Sequence, residues 1–493
     1  MRTGFDNDKY IQMQAGRIQE RIDQFGGKLY LEFGGKLFDD YHASRVLPGF
    51  APDSKARMLR KLADEAEVVF AINANDIEQG KRRSDIGITY DEDVLRLMDV
   101  FRGMGLAIGG VVITCFSGQR KAEIYQARLE SLGIPVFRHY PIDGYPSDIA
   151  KIVSDEGFGR NDYIKTTRPL VVVTAPGPGS GKLAVCLSQL YNEHAHGVNA
   201  GYAKFETFPV WNLPLKHPVN IAYEAATADL DDNNIIDPFH LETYNQVTIN
   251  YNRDVETFPV LKAMMERIMG ESPYQSPTDM GVNMVGYCIS DDAVCQEASM
   301  NEIVRRFFRT SEKLARTGQG MRELDKIRLL MGEVGIDENY SPAHAAALLK
   351  EEVTGKPAGA MVLPDGTLTT GKTSELLGAA SSLLLNALKA VAGVDKDTYV
   401  VSDEALVPIG HLKTEYLHSH NPRLHSDETL IALSISSATN PEADRVIAAT
   451  SDLAGCDAYF SVIISPTDEN AYRRLGINVC CEPKFERGSF YHR

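Results

Sequence analysis

Two stretches of the chain place a lysine directly after a glycine, a pattern typical of phosphate loops. The first stretch, residues 175–182, reads AlaProGlyProGlySerGlyLys. In a phosphate loop, glycines let successive backbone N–H groups turn toward a phosphate at the start of a helix, while the lysine reaches the terminal phosphates. The candidate phosphate-binding residues are therefore Gly177, Gly179, Ser180, Gly181 and Lys182.

Two positions of this first stretch depart from the phosphate-loop consensus. Pro176 stands where the first glycine belongs, and Leu183 stands where a Ser or Thr hydroxyl would ligate Mg²⁺. Because Gly177 and Gly179 still supply a flexible turn, the stretch can cradle an anion, but leucine cannot hold a metal. The sequence predicts either phosphate recognition without conventional Mg-ATP chemistry or a structural strand-to-helix turn.

The second stretch, residues 366–373, matches the GxxxxGK[ST] consensus at every position. Its first glycine closes a ProAspGly turn, however, and the residues in its middle favour β structure. We therefore expect a hairpin strand that leads into a helix capped by Thr373 or Ser374. Lys372 and Thr373 are therefore secondary candidates for a ligand site.

Histidine is concentrated in one C-terminal segment, which contains His411, His418, His420 and His425. His418 and His420 would share one face of a strand, and this spacing suits a metal ion. A catalytic role for His411 and Lys413 at an interdomain cleft is a second interpretation, and an exposed loop that binds nothing is a third. We assign no metal ligand from the sequence.

Two acidic segments offer further candidates. Asp237 and His240 lie in AspProPheHisLeuGlu, which predicts either a ligand-facing loop or a solvated turn. The run 284–290 reads as a strand that ends in Asp291-Asp292. Those carboxylates could hold Mg²⁺, or they could cap the helix that follows.

The elements that position the first stretch follow from the pattern of apolar residues. Short apolar runs at 29–33, 68–72, 111–115, 135–137 and 170–174 alternate with amphipathic helices. This alternation predicts a parallel sheet covered on both faces, with ligands bound beyond the carboxyl ends of the strands. The same rim would carry Gly34, Gly35, Lys36, Asn73, Asn75, Asp76 and Ser117.

The predicted secondary structure changes twice along the remainder of the chain. Residues from about 297 to 350 show helical periodicity, with an apolar stripe through Phe307 and Phe308 that indicates core or a subunit interface. Strands are expected at 398–401, 429–434 and 459–464. The predicted fold class is α/β: an N-terminal, mostly parallel, doubly wound sheet (1–285), a helical middle domain (286–355) and a smaller C-terminal α/β domain (356–493).

The overall composition limits the classes of partner. A formal net charge of -16 disfavours binding to nucleic acid or to an anionic membrane surface. Seven cysteines without a CxxC pair indicate a reducing compartment, and we find neither a signal peptide nor an apolar stretch long enough to cross a bilayer. We expect a cytoplasmic homo-oligomer with a small-molecule ligand.

Four segments together resemble a known family. Residues 30–50, 175–182, 237–242 and 370–374 are similar to those of uncharacterised protein family 0371, whose members are bacterial cytosolic proteins that share a domain of unknown function. The resemblance extends over nearly the whole chain. It implies an N-terminal α/β region, a helical middle and a C-terminal α/β region, and it implies no reaction or catalytic residue.

These observations lead to three functional hypotheses, and they leave open whether the protein is an enzyme. The first is a protein that binds a nucleotide or phosphorylated metabolite at the N-terminal rim, as in enzymes of phosphoryl or phosphometabolite chemistry. The second is a metal-dependent hydrolase or binding protein that uses residues 411–425. The third is an oligomeric scaffold in which both glycine loops are structural.

Overall fold

The computed structural model of the protein describes residues 2–35, 37–38, 40–83 and 87–486. The chain forms two compact units. The first unit comprises residues 2–224 and 232–298, and the second comprises residues 225–231 and the chain from Ser299 onward. The domain boundaries expected after residues 285 and 355 stay predictions.

The first unit is built on a parallel sheet of seven strands. The strands of this unit are β1 (Leu29–Phe33), β2 (Ala66–Asn73), β3 (Ala107–Thr114), β4 (Val136–Arg138), β5 (Leu170–Thr174), β6 (Gly201–Phe205), β7 (Asn234–Ile236), β8 (Ile249–Tyr251) and β9 (Gly281–Val282). The order in the large sheet is β4-β3-β2-β5-β1-β6-β9, and every neighbouring pair is parallel. Strands β7 and β8 form a separate antiparallel pair.

Helices connect these strands and cover the sheet. Those that begin in the first unit are α1 (Asn7–Gln24), α2 (Tyr41–Val46), α3 (Ser54–Lys61), α4 (Ala74–Gln79), α5 (Tyr90–Gly103), α6 (Arg120–Ser131), α7 (Ile149–Ile152), α8 (Lys182–Ala195), α9 (Pro218–Ala226), α10 (Pro238–Tyr244), α11 (Asn252–Met269), α12 (Pro277–Met280) and α13 (Asp292–Thr317). All five residues of β5 are buried. Burial on both faces explains why this strand consists of apolar residues up to its final threonine.

The second unit combines the latter part of α13 with a smaller mixed sheet. Its other elements are α14 (Met321–Glu333), α15 (Pro342–Thr354), β10 (Ala358–Val362), β11 (Leu368–Lys372), α16 (Ala379–Val391), α17 (Asp403–His411), a π-helical turn (Leu412–Tyr416), α18 (Ser426–Ser437), α19 (Pro441–Ala448), β12 (Asp457–Phe460), α20 (Pro466–Arg474) and β13 (Asn478–Cys481). The sheet order is β11-β10-β12-β13. Strand β10 is antiparallel to both of its neighbours, whereas β12 and β13 are parallel.

The expected fold class is confirmed: the N-terminal sheet is parallel and the C-terminal sheet is smaller. The apolar runs at 29–33 and 170–174 coincide with β1 and β5. None of the helices in the described ranges is long and apolar enough to cross a membrane.

Three expected strands are wrong. Residues 429–434 lie in α18, residues 398–401 form no strand, and a 3₁₀ helix at Val285–Cys288 replaces the strand expected at 284–290. A short apolar run does not distinguish a buried strand from a buried helix. In α18, Leu433 is buried on one side of the helix, whereas Ile431 and Ile435 are exposed on the other.

Candidate functional site

The predicted phosphate loop lies at the carboxyl edge of the first unit's sheet, between β5 and α8. Strand β5 has β2 on one side and β1 on the other. The chain leaves β2 toward β3 and leaves β5 toward β6, so the two connections run in opposite directions along the sheet. Such a divergence is the usual position of a ligand crevice in an open α/β sheet.

Two glycines of the loop adopt conformations that other residues rarely take. The φ angles are +77° at Gly179 and +85° at Gly181. A side chain at Gly181 would also meet Thr114, whose Oγ1 lies 3.1 Å from the position of the added Cβ. Helix α8 begins immediately afterwards, at Lys182. Glycine is therefore required here by the backbone conformation and by the close approach of β3.

Side chains at the ends of β2 and β3 hold two carbonyl groups of this loop. The Thr114 hydroxyl donates to the Ser180 carbonyl at 2.8 Å, and the Asn73 amide donates to the Gly179 carbonyl at 3.4 Å. A trans peptide is planar, with its N–H opposite its C=O. The N–H groups of Ser180 and Gly181 therefore point away from Thr114 and Asn73.

The N–H groups of residues 179–182 are available for hydrogen bonding. Within the described part of the chain, none of them donates to a protein acceptor. The Lys182 side chain is partly exposed and likewise makes no hydrogen bond or ion pair to a described residue. Backbone donors at a helix N-terminus with a free ammonium group beside them form an arrangement that suits an anion.

The other predicted rim residues lie in different surroundings. Asn75 accepts a hydrogen bond from Gln119 at 3.0 Å, and the Ser117 N–H donates to the same glutamine at 2.8 Å, so these residues join the Asn73 side of the rim. Asp76 forms an ion pair with Lys81 at 3.2 Å. Lys36 lies outside the described residues.

Gly34 and Gly35 follow β1 and pack beside a buried lysine. Gly35 has a φ of +74°, and a Cβ added there would lie 3.3 Å from the Lys55 Nζ. Lys55 forms an ion pair with Asp40 at 2.7 Å. Burial would raise the pKa of Asp40, but the Lys55 ammonium outweighs that effect and holds the pKa below its usual range. The rim next to β1 thus contains an internal ion pair.

A group of charged residues beside the loop is absent from the predicted site. Glu32 on β1 is paired in register with Lys204 on β6. The Lys204 ammonium forms ion pairs with Glu206, at 3.0 Å, and with Asp254 in the first turn of α11. The Tyr202 hydroxyl donates to Glu32 at 2.8 Å. We refer to Glu32, Lys204, Glu206 and Asp254 as the Lys204 cluster.

The electrostatics of the Lys204 cluster follow from its burial. Burial raises the pKa of the Glu206 carboxyl to about 7, although the Lys204 ammonium opposes that shift. Burial alone would lower the pKa of Lys204, but Asp254 and Glu206 raise it above its usual range. Lys204 therefore stays charged at neutral pH, whereas Glu206 exchanges its proton near neutrality.

The cluster and the phosphate loop face the same side of the sheet. Cys186, in the first turns of α8, is buried, and burial raises the pKa of its thiol. The Glu32 carboxylate raises that pKa further, whereas the Lys182 ammonium opposes the shift. Glu32 lies opposite Val173 of β5, and Tyr30, on the same face of β1, donates to Glu193 of α8 at 2.6 Å. The sequence contains a signal that could have indicated this cluster. One charged residue stands in each of two otherwise buried strands, in TyrLeuGluPhe (30–33) and TyrAlaLysPhe (202–205).

The second glycine–lysine stretch is a hairpin, as expected. Strands β10 and β11 pair with Gly359 opposite Gly371, and Gly366 lies in the turn with a φ of +86°. Lys372 is the last residue of β11, and Thr373 is buried, with its N–H bonded to the Pro357 carbonyl at 2.8 Å. The expected cap is wrong, because α16 begins later, at Ala379.

The histidine-rich segment does not form a strand. His418 lies in an irregular segment with a φ of +52°, and His411 pairs with Glu415 at 3.0 Å on a helical turn. His425 bonds to Asp468 at 3.1 Å, and Lys413 is buried against Glu428 at 2.6 Å. The described residues contain no group of three or more His, Cys, Asp or Glu side chains arranged to hold a metal ion.

Asp237 and His240 have structural contacts in the first unit. Asp237 is fully buried and caps α10, accepting from the N–H groups of Phe239 and His240 at 3.0 and 3.1 Å. It also accepts from the Thr278 hydroxyl at 2.7 Å. Asp291 accepts from the Val294 N–H at 3.2 Å, as expected of a residue that caps a helix.

The architecture places the protein in a class: an α/β protein with a glycine-rich turn at the carboxyl edge of a parallel sheet. Two family models identify the family within that class. "Domain of unknown function DUF1846, N-terminal" matches residues 3–335, and the corresponding C-terminal model matches residues 339–491. The chain belongs to this family.

Its relatives agree with that assignment over their full length. The UPF0371 protein DIP2346 of Corynebacterium diphtheriae is 56% identical over 491 residues, which cover 99% of each chain. The UPF0371 protein str1377 of Streptococcus thermophilus is 54% identical over 497 residues and 100% of each chain. The resemblance to family 0371 is confirmed, and these names state no activity.

Proposed function

We propose that this protein binds a nucleotide or another phosphorylated small molecule at the carboxyl edge of its parallel sheet, and that it acts on that compound as an enzyme of phosphoryl or phosphometabolite chemistry. One observation carries the proposal. The N–H groups of residues 179–182 and the Lys182 ammonium have no protein partner within the described chain, while the loop carbonyls are held by Thr114 and Asn73.

In this proposal each part of the loop has a separate role. The backbone N–H groups bind the phosphate oxygens, and Lys182 neutralises their charge. Gly177 packs against Tyr90, which fixes the entry to the loop. Because Leu183 has no hydroxyl, the loop supplies no metal ligand of its own, and we expect phosphate recognition to be independent of Mg²⁺.

The Lys204 cluster supports the enzymatic part of the proposal. It places one ammonium and three carboxylates beside the loop, on the same side of the sheet. A carboxyl with a pKa of about 7, such as Glu206, suits proton transfer at neutral pH. We expect the phosphate to lie at the loop and the rest of the compound to extend toward β6.

The test is equilibrium binding by calorimetry on the full chain. Inorganic phosphate, AMP, ATP and glucose 6-phosphate are titrated with and without Mg²⁺. We expect Lys182→Ala to weaken binding of the phosphorylated compounds by about tenfold or more, since a charge-assisted contact of roughly 1.5–3 kcal/mol is lost. Its folding stability should not change, because Lys182 has no described partner.

The matched control is Lys372→Ala. Lys372 occupies the corresponding position of the other glycine–lysine stretch, at the end of a hairpin strand. Its removal should leave every affinity unchanged. The proposal is wrong if no phosphorylated compound binds the wild-type chain, or if Lys182→Ala and Lys372→Ala change the affinities equally.

A further inference from the structure

A second site lies in the second unit, away from both glycine–lysine stretches. A cavity of about 330 Å³ opens between α13, α14 and the chain that follows β13. Its apolar walls include Phe307, Phe308, Leu314, Leu324 and Pro483. An engineered cavity of about 150 Å³ holds one benzene molecule. The volume here therefore accommodates an aromatic ring together with a polar group.

The floor of the cavity is aromatic and fixed in place. Phe308 is 1% exposed, and its ring centroid lies 5.3 Å from that of Phe307 at an interplanar angle of 78°. The other neighbours of Phe308 are His344, at 4.9 Å, and Tyr459, at 5.5 Å. Because packing holds these rings, a ligand ring would meet a preformed surface with edge-to-face contacts available.

One polar group in the cavity wall has no partner. Ser311 is 4% exposed, and no protein group within the described chain makes a hydrogen bond to its hydroxyl. Phe307, Ser311 and Leu314 follow one another at helical spacing on α13, so the serine lies among the apolar wall residues. A buried hydroxyl without a hydrogen bond costs about 1–3 kcal/mol. A ligand that supplies a polar atom at this position would recover part of that cost.

The rim of the cavity carries opposite charges. Arg328 is exposed, with the Asp325 carboxylate 3.6 Å away at the surface. The Glu482 carboxylate is already bound by His344 at 2.5 Å. Glu338 also lines the rim, and its carboxylate makes no hydrogen bond or ion pair to a described residue. The rim thus offers a guanidinium for an anion and a free carboxylate for a cation.

We propose that this cavity binds a free aromatic α-amino acid whose ring carries a hydroxyl group. The ring lies on Phe307 and Phe308, and its hydroxyl pairs with Ser311. The ligand carboxylate pairs with Arg328, and the ligand ammonium pairs with Glu338. This site does not depend on phosphate binding in the first unit.

The decisive measurement compares two ligands that differ by one hydroxyl. L-tyrosine and L-phenylalanine are titrated into the full chain by calorimetry. We expect tyrosine to bind roughly five- to tenfold more tightly, since one neutral hydrogen bond is gained. In Ser311→Ala, tyrosine should weaken to the affinity of phenylalanine, while phenylalanine stays unchanged.

The rim is tested with ligands that lack one charge. Tyramine has no carboxylate, and 3-(4-hydroxyphenyl)propionate has no ammonium, so both should bind more weakly than tyrosine. Arg328→Gln should weaken tyrosine and leave tyramine unchanged, and Glu338→Gln should weaken tyrosine and leave the propionate unchanged. Arg322→Gln, on an exposed position of α14 that does not line the cavity, is the matched control.

Loss of folding is separated from loss of the site by thermal unfolding. Ser311→Ala removes an unpaired polar group, so its melting temperature should equal or exceed that of the wild type. Ala315→Trp, at an exposed position of the wall, should fill the cavity and abolish binding. The proposal is overturned if tyrosine and phenylalanine bind equally, if neither binds, or if the preference for tyrosine persists in Ser311→Ala.

Discussion

The two glycine–lysine stretches, 175–182 and 366–373, differ in how their backbones are used. In the first stretch, carbonyl groups accept from side chains at the ends of β2 and β3, and the N–H groups of residues 179–182 have no described protein acceptor. In the second, the residues of β11 pair with β10, and Gly371 lies directly against α16. A match to the consensus therefore does not by itself leave the backbone N–H groups free to bind an anion.

The largest expected effect concerns Gly371, the glycine of the second stretch that packs against α16. A Cβ at Gly371 would lie 2.2 Å from the backbone nitrogen of Leu383 in α16, and neither backbone can move independently. Gly371→Ala should lower the free energy of unfolding by about 3 kcal/mol or more. Denaturant unfolding measures this loss, and phosphate affinity should not change. Gly332→Ala in α14, where a methyl group meets nothing within 4 Å, is the control.

The next effect concerns the entry to the first stretch. A Cβ at Gly177 would lie 2.3 Å from the hydroxyl oxygen of Tyr90. Gly177→Ala should therefore destabilise the fold by about 2 kcal/mol and weaken phosphate binding, but it should cost less than about 0.5 kcal/mol in a Tyr90→Ala background. Equal costs in the two backgrounds would show that Tyr90 does not set this constraint.

The smallest effect compares a hydroxyl that bonds to the first stretch with a hydroxyl that lies in the second. Thr114→Val removes the donor to the Ser180 carbonyl and should cost about 1 kcal/mol of stability, with a few-fold loss of phosphate affinity. Thr373→Val changes a hydroxyl that bonds to no residue in the described ranges, so both quantities should stay near the wild-type values. If Thr373→Val weakened phosphate binding, the hairpin would have to be reconsidered as the site.

Much of the first unit could be predicted because its strands are buried on both faces. The runs at 29–33 and 170–174 are apolar for that reason, and their spacing from amphipathic helices indicates a parallel sheet. The order of the seven strands does not follow from such local patterns. Neither does the pairing of Glu32 with Lys204, which depends on residues 172 positions apart becoming register neighbours.

Part of the second unit was harder to predict because one of its helices, α18, lacks amphipathic periodicity. Helix α18 has apolar residues on both faces, so its sequence resembles a buried strand. The cavity beside α13 also has no sequence signature. The stripe through Phe307 and Phe308 indicates buried packing, but only the positions of Arg328 on α14 and Glu338 after it reveal that the stripe borders a space.

The central position of β5 has a consequence for amide exchange and for the entropic cost of binding an anion. With hydrogen-bonded neighbours on both edges and all five residues buried, its amides should be among the slowest in the chain to exchange with deuterated solvent. A loop anchored at the end of such a strand has little conformational freedom to lose. An anion would therefore bind there with a small entropic penalty for ordering the loop.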